Sequence, residues 1–129
     1  MQNKKNIINN YLTKLSENNM NDFVDGDIIA VDLDGTLAYY DEFKGKDHIG
    51  DPIPKMMDRV KKWIEEGKKV VIFTARAHGG PLWISPIKKW LEKQGLPDLE
   101  VTNVKTPMMT EFWDDRAIQV KPNTGEPVI

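Results

Sequence analysis

Polar side chains that can bind metal or phosphate follow several short apolar runs in this 129-residue chain. Four runs end in this way, at Asp32, at Thr74, at Asn103 with Lys105 just beyond, and at Asp114-Asp115. Short apolar runs suit strands that are buried on both faces of a parallel sheet. Ligands of such sheets bind beyond the carboxyl ends of the strands, so we expect these side chains to meet at one place.

Carboxylates that meet at one place repel each other unless a cation lies among them, and hard oxygen ligands suit Mg²⁺. A carboxylate that is aimed at phosphorus can act as a nucleophile and form an aspartyl phosphate. Lys105 could neutralise that carboxylate and the phosphoryl oxygens, while Thr74 could donate a hydrogen bond to one of them. Positioning and charge neutralisation are what phosphoryl transfer requires, so the residues predict that chemistry.

The segments between these residues predict the elements that position them. Apolar residues recur at helical spacing over 53–66, and again after a loop at 77–80. Pro86 should lie in the first turn of the second helix, where its missing N–H has no partner to lose. Strands are predicted at 28–31, 70–73, 99–102, 110–113 and 118–120. Strands that alternate with helices predict a three-layer, Rossmann-like α/β domain with a central parallel sheet.

The start of the chain is separate from this pattern. Residues 4–17 have the apolar spacing of an amphipathic helix, so we divide the chain into an N-terminal helix and linker at 1–24 and a catalytic domain at 25–129. Residues 35–52 lack sustained periodicity and predict a loop or a small hairpin. The final residues are rich in turn formers and predict irregular structure.

Composition excludes several classes of protein. The chain has no cysteine, so disulfides and thiolate-bound zinc are excluded, and a reducing compartment such as the cytoplasm is expected. With 18 basic and 20 acidic residues the net charge is −2, which predicts no general nucleic-acid field. No apolar stretch approaches the length of a membrane span, and no membrane partner is expected.

The ordered motifs resemble the haloacid dehalogenase (HAD) superfamily. Residues 31–36, Val-Asp-Leu-Asp-Gly-Thr, are similar to its first motif, and Phe-Thr-Ala-Arg at 73–76 is similar to its second. Lys105 stands where the third-motif lysine is expected, although Lys88 and Lys89 remain alternatives. Trp-Asp-Asp-Arg at 113–116 resembles the acidic fourth motif. The likeness covers about residues 28–120 and implies the HAD fold.

The resemblance implies a role for each matching residue. Asp32 would attack phosphorus and bind Mg²⁺, and Asp34 would be general acid and then general base, with its backbone carbonyl on the metal. Asp115 would complete the metal ligands, and Asp114 would bond through a water molecule. Thr74 and Lys105 would hold the phosphoryl group. The remaining contacts to substrate would come from the residues beside these motifs, Gly35, Thr36, Ala75 and Arg76.

Many relatives carry an inserted cap domain after the first or the second motif. Residues 36–52 are too few for such a domain, and residues 77–98 are already used by a loop and a helix, so the protein is expected to be capless. Among capless members it resembles the phosphatase domain of polynucleotide kinase-phosphatases and small phage-type proteins. The implied substrate is a phosphomonoester, either a small molecule or a nucleic-acid end. Arg76 would contact phosphate or pair with Asp114. A non-catalytic module that binds a phosphorylated ligand or a partner protein, and a phosphotransferase, remain the alternatives.

Overall fold

A computed structural model describes residues 27–129, which form an α/β fold around four parallel strands. The strands are β1 (Ile28–Val31), β2 (Lys69–Phe73), β3 (Val101–Thr102) and β4 (Met109–Trp113), in the spatial order β3-β2-β1-β4. The helices are α1 (Pro54–Glu65) and α2 (Pro81–Lys93), and a 3₁₀ helix spans Ala75–Gly79. The predicted α/β class and parallel sheet are confirmed. The predicted helix at 4–17 lies outside the described residues.

Both helices pack on one face of the sheet. Val31 and Ile72 point to this face from neighbouring strands and are fully buried. They belong to a cluster that includes Val60 of α1 together with Ile87 and Leu91 of α2. Every second residue of the strands and the apolar residues at helical spacing in α1 and α2 therefore pack into the same core. The core holds the carboxyl ends of β1 and β2 rigidly.

The opposite face of the sheet carries a second apolar cluster. Ala30 and Val71 are each 1% exposed and pack with Met109 of β4. Phe73 and Phe112 extend this cluster, with ring centroids 5.7 Å apart in an edge-to-face arrangement. None of the buried side chains of α1 or α2 belongs to this cluster.

The strand register explains why polar residues meet at one edge. Val31 pairs with Ile72 on one side and with Trp113 on the other. The next residue of β1, Asp32, is therefore level with Asp114, and its backbone N–H donates to the Trp113 carbonyl at 2.9 Å. Because all strands are parallel, every one of these strand ends lies at the same edge of the sheet.

The start of α2, directly after residues 77–80, agrees with the prediction, but the position of Pro86 within the helix does not. The helix begins at Pro81, and Pro86 lies inside it rather than in its first turn. Pro86 removes one backbone hydrogen bond, the one that would end at the carbonyl of Leu82. Leu82 is 72% exposed, so water can reach that end of the helix. The helix therefore tolerates the proline at a position where a buried helix would be broken.

The last predicted strand, at 118–120, is also wrong. Ile118 and Val120 are mostly exposed, and Val120 forms only an isolated antiparallel bridge with Pro127. Two apolar positions bury too little surface to add a strand beyond β4. The tail is irregular as predicted, and the loop at 35–52 contains only isolated bridges. No helix within residues 27–129 is long and apolar enough to cross a membrane.

Candidate metal and phosphate site

Three carboxylates converge at the carboxyl edge of the sheet. Asp32 follows β1, while Asp114 and Asp115 follow β4. Each offers one oxygen, and these oxygens all lie within 4.8 Å of one another. Asp32 lies more than 80 positions before Asp114 and Asp115 in the sequence, and the parallel pairing of β1 with β4 brings the three together. The donor set consists of oxygen alone, which suits a hard divalent cation such as Mg²⁺.

Crowding of negative charge changes the acidity of Asp32. Burial, together with the carboxylates of Asp114 and Asp115, raises the pKa of Asp32 from 3.8 to about 7. The Leu33 backbone N–H, which donates to the Asp32 carboxylate, opposes this rise only partly. A cation among the three carboxylates would favour the ionised form of Asp32.

The turn after Asp32 positions Asp115. Gly35 adopts a φ of 87°, and a Cβ atom built there would collide with the Asp115 carboxylate. The Thr36 hydroxyl donates to Asp115 Oδ1 at 3.3 Å. The glycine is therefore required both for the left-handed backbone and for the close approach of a carboxylate. Gly35 and Thr36, predicted to contact substrate, here contact an acidic residue of the metal set.

Asp34 forms a bidentate ion pair with Arg76. Arg76 Nε lies 2.7 Å from Asp34 Oδ2, and Nη2 lies 3.0 Å from Oδ1. The Arg76 side chain is 7% exposed and that of Asp34 is 20% exposed, so the pair is largely shielded from water. Of the two alternatives for Arg76, contact with phosphate or pairing with Asp114, the second is wrong. The carboxylate nearest in space to the guanidinium comes from the first motif and not from the fourth.

Arg76 also attaches the 39–50 loop to the site. Its Nη1 donates to the carbonyls of Gly45 and Lys46 at 3.5 and 3.4 Å. The guanidinium carbon lies 5.5 Å from the centroid of the Phe43 ring, which in turn stacks on Trp83 of α2 at 5.8 Å. A single buried cation therefore links the turn after β1, the loop and the second helix.

Thr74 lies at the bottom of an open cavity beside Asp32. Its hydroxyl accepts a hydrogen bond from the Arg76 backbone N–H at 3.2 Å and caps the 3₁₀ helix. The cavity has a volume of about 550 Å³. Its walls are formed by residues at or after the carboxyl ends of all four strands: Asp32, Phe73, Thr74, Ala75, His78, Asn103, Asp114, Arg116 and Ala117. Asp32, Thr74, Ala75 and Asp114 were expected at the site.

The predicted lysine is not part of this cavity. Lys105 Nζ lies 4.9 Å from the centroid of the Phe112 ring, on the sheet face away from α1 and α2. The alternative Lys88 donates to Asp98 and to the Leu99 carbonyl, each at 2.7 Å. Lys88 and Lys89 line a different, smaller cavity. None of the three ammonium groups is held against the carboxylates.

Three polar residues of the cavity were not predicted as site residues. They are His78 in the 3₁₀ helix, Arg116 after Asp115, and Asn103, which was noted only as a strand end. The signal that could have found Asn103 is register, because Phe73 pairs with Thr102 and the next residues of both strands are therefore level. Arg116 follows Asp115 directly, but nothing in its sequence position shows which way it faces.

Comparisons with known proteins give a likeness of fold. No protein-family model matches the sequence, and no curated protein matches it. A solved structure, described as that of a conserved protein coded by a locus from Bacteroides thetaiotaomicron, is similar with a TM-score of 0.53 and 22% identity. The match covers 70% of this chain and 76% of that chain. At this identity the likeness shows the α/β fold alone.

Proposed function

We propose that the protein is a Mg²⁺-dependent phosphohydrolase, a capless member of the HAD superfamily, that acts on a phosphomonoester through phospho-Asp32. The observation that carries this proposal is the convergence of Asp32 with Asp114 and Asp115 within 4.8 Å, at the carboxyl end of parallel strands. Thr74 lies in the same cavity as Asp32. The motif resemblance and this convergence of side chains support the proposal.

The residues present fit Mg²⁺. Asp32, Asp114 and Asp115 would hold the ion with their side chains, and the Asp34 backbone carbonyl is the further ligand that the resemblance implies. When bound, the ion would neutralise charge on the nucleophile and on the transferring phosphoryl oxygens. The raised pKa of Asp32 reflects burial and the repulsion of its neighbours, and a cation among the three carboxylates would offset that repulsion.

The chain's own residues would perform two displacements. In the first, an Asp32 carboxylate oxygen attacks phosphorus and the bond to the leaving oxygen breaks, while Asp34 protonates that oxygen. In the second, Asp34 takes a proton from a water molecule that attacks the phosphoenzyme, and the Asp32–phosphorus bond breaks to release inorganic phosphate. The Thr74 hydroxyl would donate to a phosphoryl oxygen, because its own oxygen already accepts from the Arg76 backbone N–H.

The ion pair between Asp34 and Arg76 places a condition on this sequence of steps. Each Asp34 oxygen already accepts from the guanidinium, so Arg76 competes with the leaving group for this carboxyl group while the pair is intact. Substrate binding would therefore release at least one of these two hydrogen bonds. The phosphate itself is a suitable new partner for Arg76, since phosphate and carboxylate present similar paired oxygens.

The test is turnover of p-nitrophenyl phosphate and of a phosphomonoester panel by the wild-type protein and Asp32→Asn. We expect turnover with Mg²⁺, none above background in excess chelator, and loss of at least a thousandfold in the variant. An amide cannot form the acyl phosphate, although it preserves the shape of the side chain. Asp58→Asn, which changes an exposed aspartate on α1, is the matched control and should keep full activity.

Each outcome separates the proposal from its alternatives. Turnover that survives Asp32→Asn would refute the covalent mechanism. Transfer of phosphate to an added alcohol faster than to water would identify a phosphotransferase. Binding of phosphorylated ligands by the wild-type protein without turnover of any substrate, in the presence of Mg²⁺, would favour the non-catalytic module.

A further inference from the structure

The cavity beside Asp32 is much larger than a phosphoryl group. Its volume of about 550 Å³ falls within the range of small-molecule sites, about 300 to 1,000 Å³. Three of its lining residues, Asp32, Thr74 and Asp114, are assigned to metal and phosphoryl group. The remaining walls come from the ends of β2 and β3 and from the segment after β4. The rest of the cavity is therefore available to the leaving group of the substrate.

The ionisable groups of these remaining walls are basic. Asp32 and Asp114 are the acidic residues of the lining within the described part of the chain, and both belong to the metal set. Arg116 and His78 line the other walls, and Asn103 adds an amide. With a cation bound to the carboxylates, no negative charge in this lining is left without a partner. Such a cavity favours an anionic leaving group over a cationic one.

Among the described residues, Arg116 differs from the other two arginines because neither a carboxylate nor an aromatic ring partners its guanidinium. Arg76 pairs with Asp34, and Arg59 lies over the Trp113 ring at 5.5 Å. Among residues 27–129, no carboxylate forms an ion pair with the Arg116 guanidinium. Its backbone is fixed, because its N–H donates to Asp114 Oδ1 at 2.8 Å. Arg116 is thus an exposed cation whose backbone is held beside the cavity, and within residues 27–129 no carboxylate pairs with its guanidinium.

We propose that Arg116 binds a second anionic group, a phosphate or a carboxylate, on the leaving group of the substrate. The inference rests on the proposed function and narrows its class of substrate to phosphomonoesters with a second anionic group. A substrate recognised through its transferred phosphate alone would not need Arg116. The planar guanidinium offers paired N–H donors that match either oxyanion. The second anion can belong to a small molecule or can be the neighbouring phosphodiester of a nucleic-acid end.

The experiment compares substrates that carry a second anion with related substrates that lack it. A nucleoside 3′-monophosphate is paired with the 3′,5′-bisphosphate, and separately with a dinucleotide that ends in a 3′-phosphate. Glycerol 3-phosphate is paired with 3-phosphoglycerate. We expect kcat/KM to be at least tenfold higher for the anionic member of one pair, and the pair that responds identifies the source. Arg116→Gln should lower that preference below threefold, and Arg116→Lys should restore part of it.

Arg59→Gln is the matched control, because it removes an arginine outside the cavity and should keep the preference of the wild type. Absence of a preference in every pair, or the same preference in Arg116→Gln, would overturn the assignment. An equal loss for both members of each pair would place Arg116 on the transferred phosphate instead. Turnover of p-nitrophenyl phosphate by the wild type separates these results from failure of the proposed function.

A binding measurement removes dependence on turnover. Calorimetric titration of Asp32→Asn with Mg²⁺ and the nucleoside 3′,5′-bisphosphate, 3′-phosphorylated dinucleotide or 3-phosphoglycerate should show tighter binding than the paired monophosphate in at least one pair. The difference should vanish when Arg116→Gln is added. Equal affinities for both members of every pair would refute the inference even if no substrate is turned over.

Discussion

Asp32→Asn should stabilise the metal-free protein at neutral and alkaline pH, although it removes the proposed nucleophile. Burial and the carboxylates of Asp114 and Asp115 raise the pKa of Asp32 from 3.8 to about 7. Between these two pH values the folded protein keeps a proton that the unfolded chain has lost. The free energy of unfolding therefore falls as pH rises through this window, and the loss is complete above about pH 7.

The magnitude follows from the difference in pKa. The interval from 3.8 to about 7 corresponds to about 4 kcal/mol without screening. Asp32 is only partly buried, so water screens the repulsion and we expect about 1–2 kcal/mol to be observed. Asparagine has the same shape and no charge, so the variant should lack this loss. The stability difference between variant and wild type should grow by that amount from pH 4.5 to pH 8.

Urea unfolding in chelator at several pH values measures the difference, with Asp58→Asn as the control for removal of an exposed aspartate. Mg²⁺ at a hundred times its dissociation constant should then add about 2.7 kcal/mol to the wild type at pH 8. Asp32→Asn should gain clearly less. Parallel pH profiles for wild type and Asp32→Asn would refute the claim that the three carboxylates repel one another in the metal-free fold.

Two further substitutions test the supports of the site. Gly35→Ala should cost about 1–3 kcal/mol of stability and weaken Mg²⁺ binding, because its Cβ displaces Asp115. Gly67→Ala has a similar φ and open space around it, so it should leave Mg²⁺ affinity unchanged, and an equal loss in both variants would dismiss the contact. Arg76→Gln should cost about 3 kcal/mol in urea unfolding, since it strands the shielded carboxylate of Asp34. Lys88→Gln breaks an exposed pair with Asp98 and should cost under about 1 kcal/mol of stability. Similar losses of stability in Arg76→Gln and Lys88→Gln would refute the claim that the Asp34–Arg76 pair is shielded from water.

The parts of the fold that could be predicted from sequence are those fixed by local pattern. β1 and β2 are buried apolar runs that stop at a polar residue, and their bounds agree with the prediction to within one residue. α1 agrees equally well, because its apolar spacing is regular and Pro54 marks its first position. The 118–120 strand failed because two apolar residues do not reveal whether a neighbouring strand offers an edge.

The residues that directly follow strands could be predicted to lie at the site. The contacts made by long side chains could not be predicted. Asp32, Asp114 and Asp115 were found because parallel strands deliver their ends to one edge, whatever the side chains do. The pair between Asp34 and Arg76 joins residues 42 positions apart, and each belongs to a motif that could have used its charge otherwise. Long side chains choose among several partners, and that choice depends on packing that periodicity does not encode.

Lys105 shows the consequence of this distinction for mechanism. Only four residues separate it from Thr110, which leaves no room for a helix between β3 and β4. The backbone can bring the lysine near the right strand end, but the ammonium lies over Phe112, away from the carboxylates. The role that the resemblance gives to Lys105 therefore requires the side chain to leave this ring. Two other cations lie near the proposed chemistry within the described residues. Arg76 is paired with Asp34, and Arg116 lines the cavity beside Asp32.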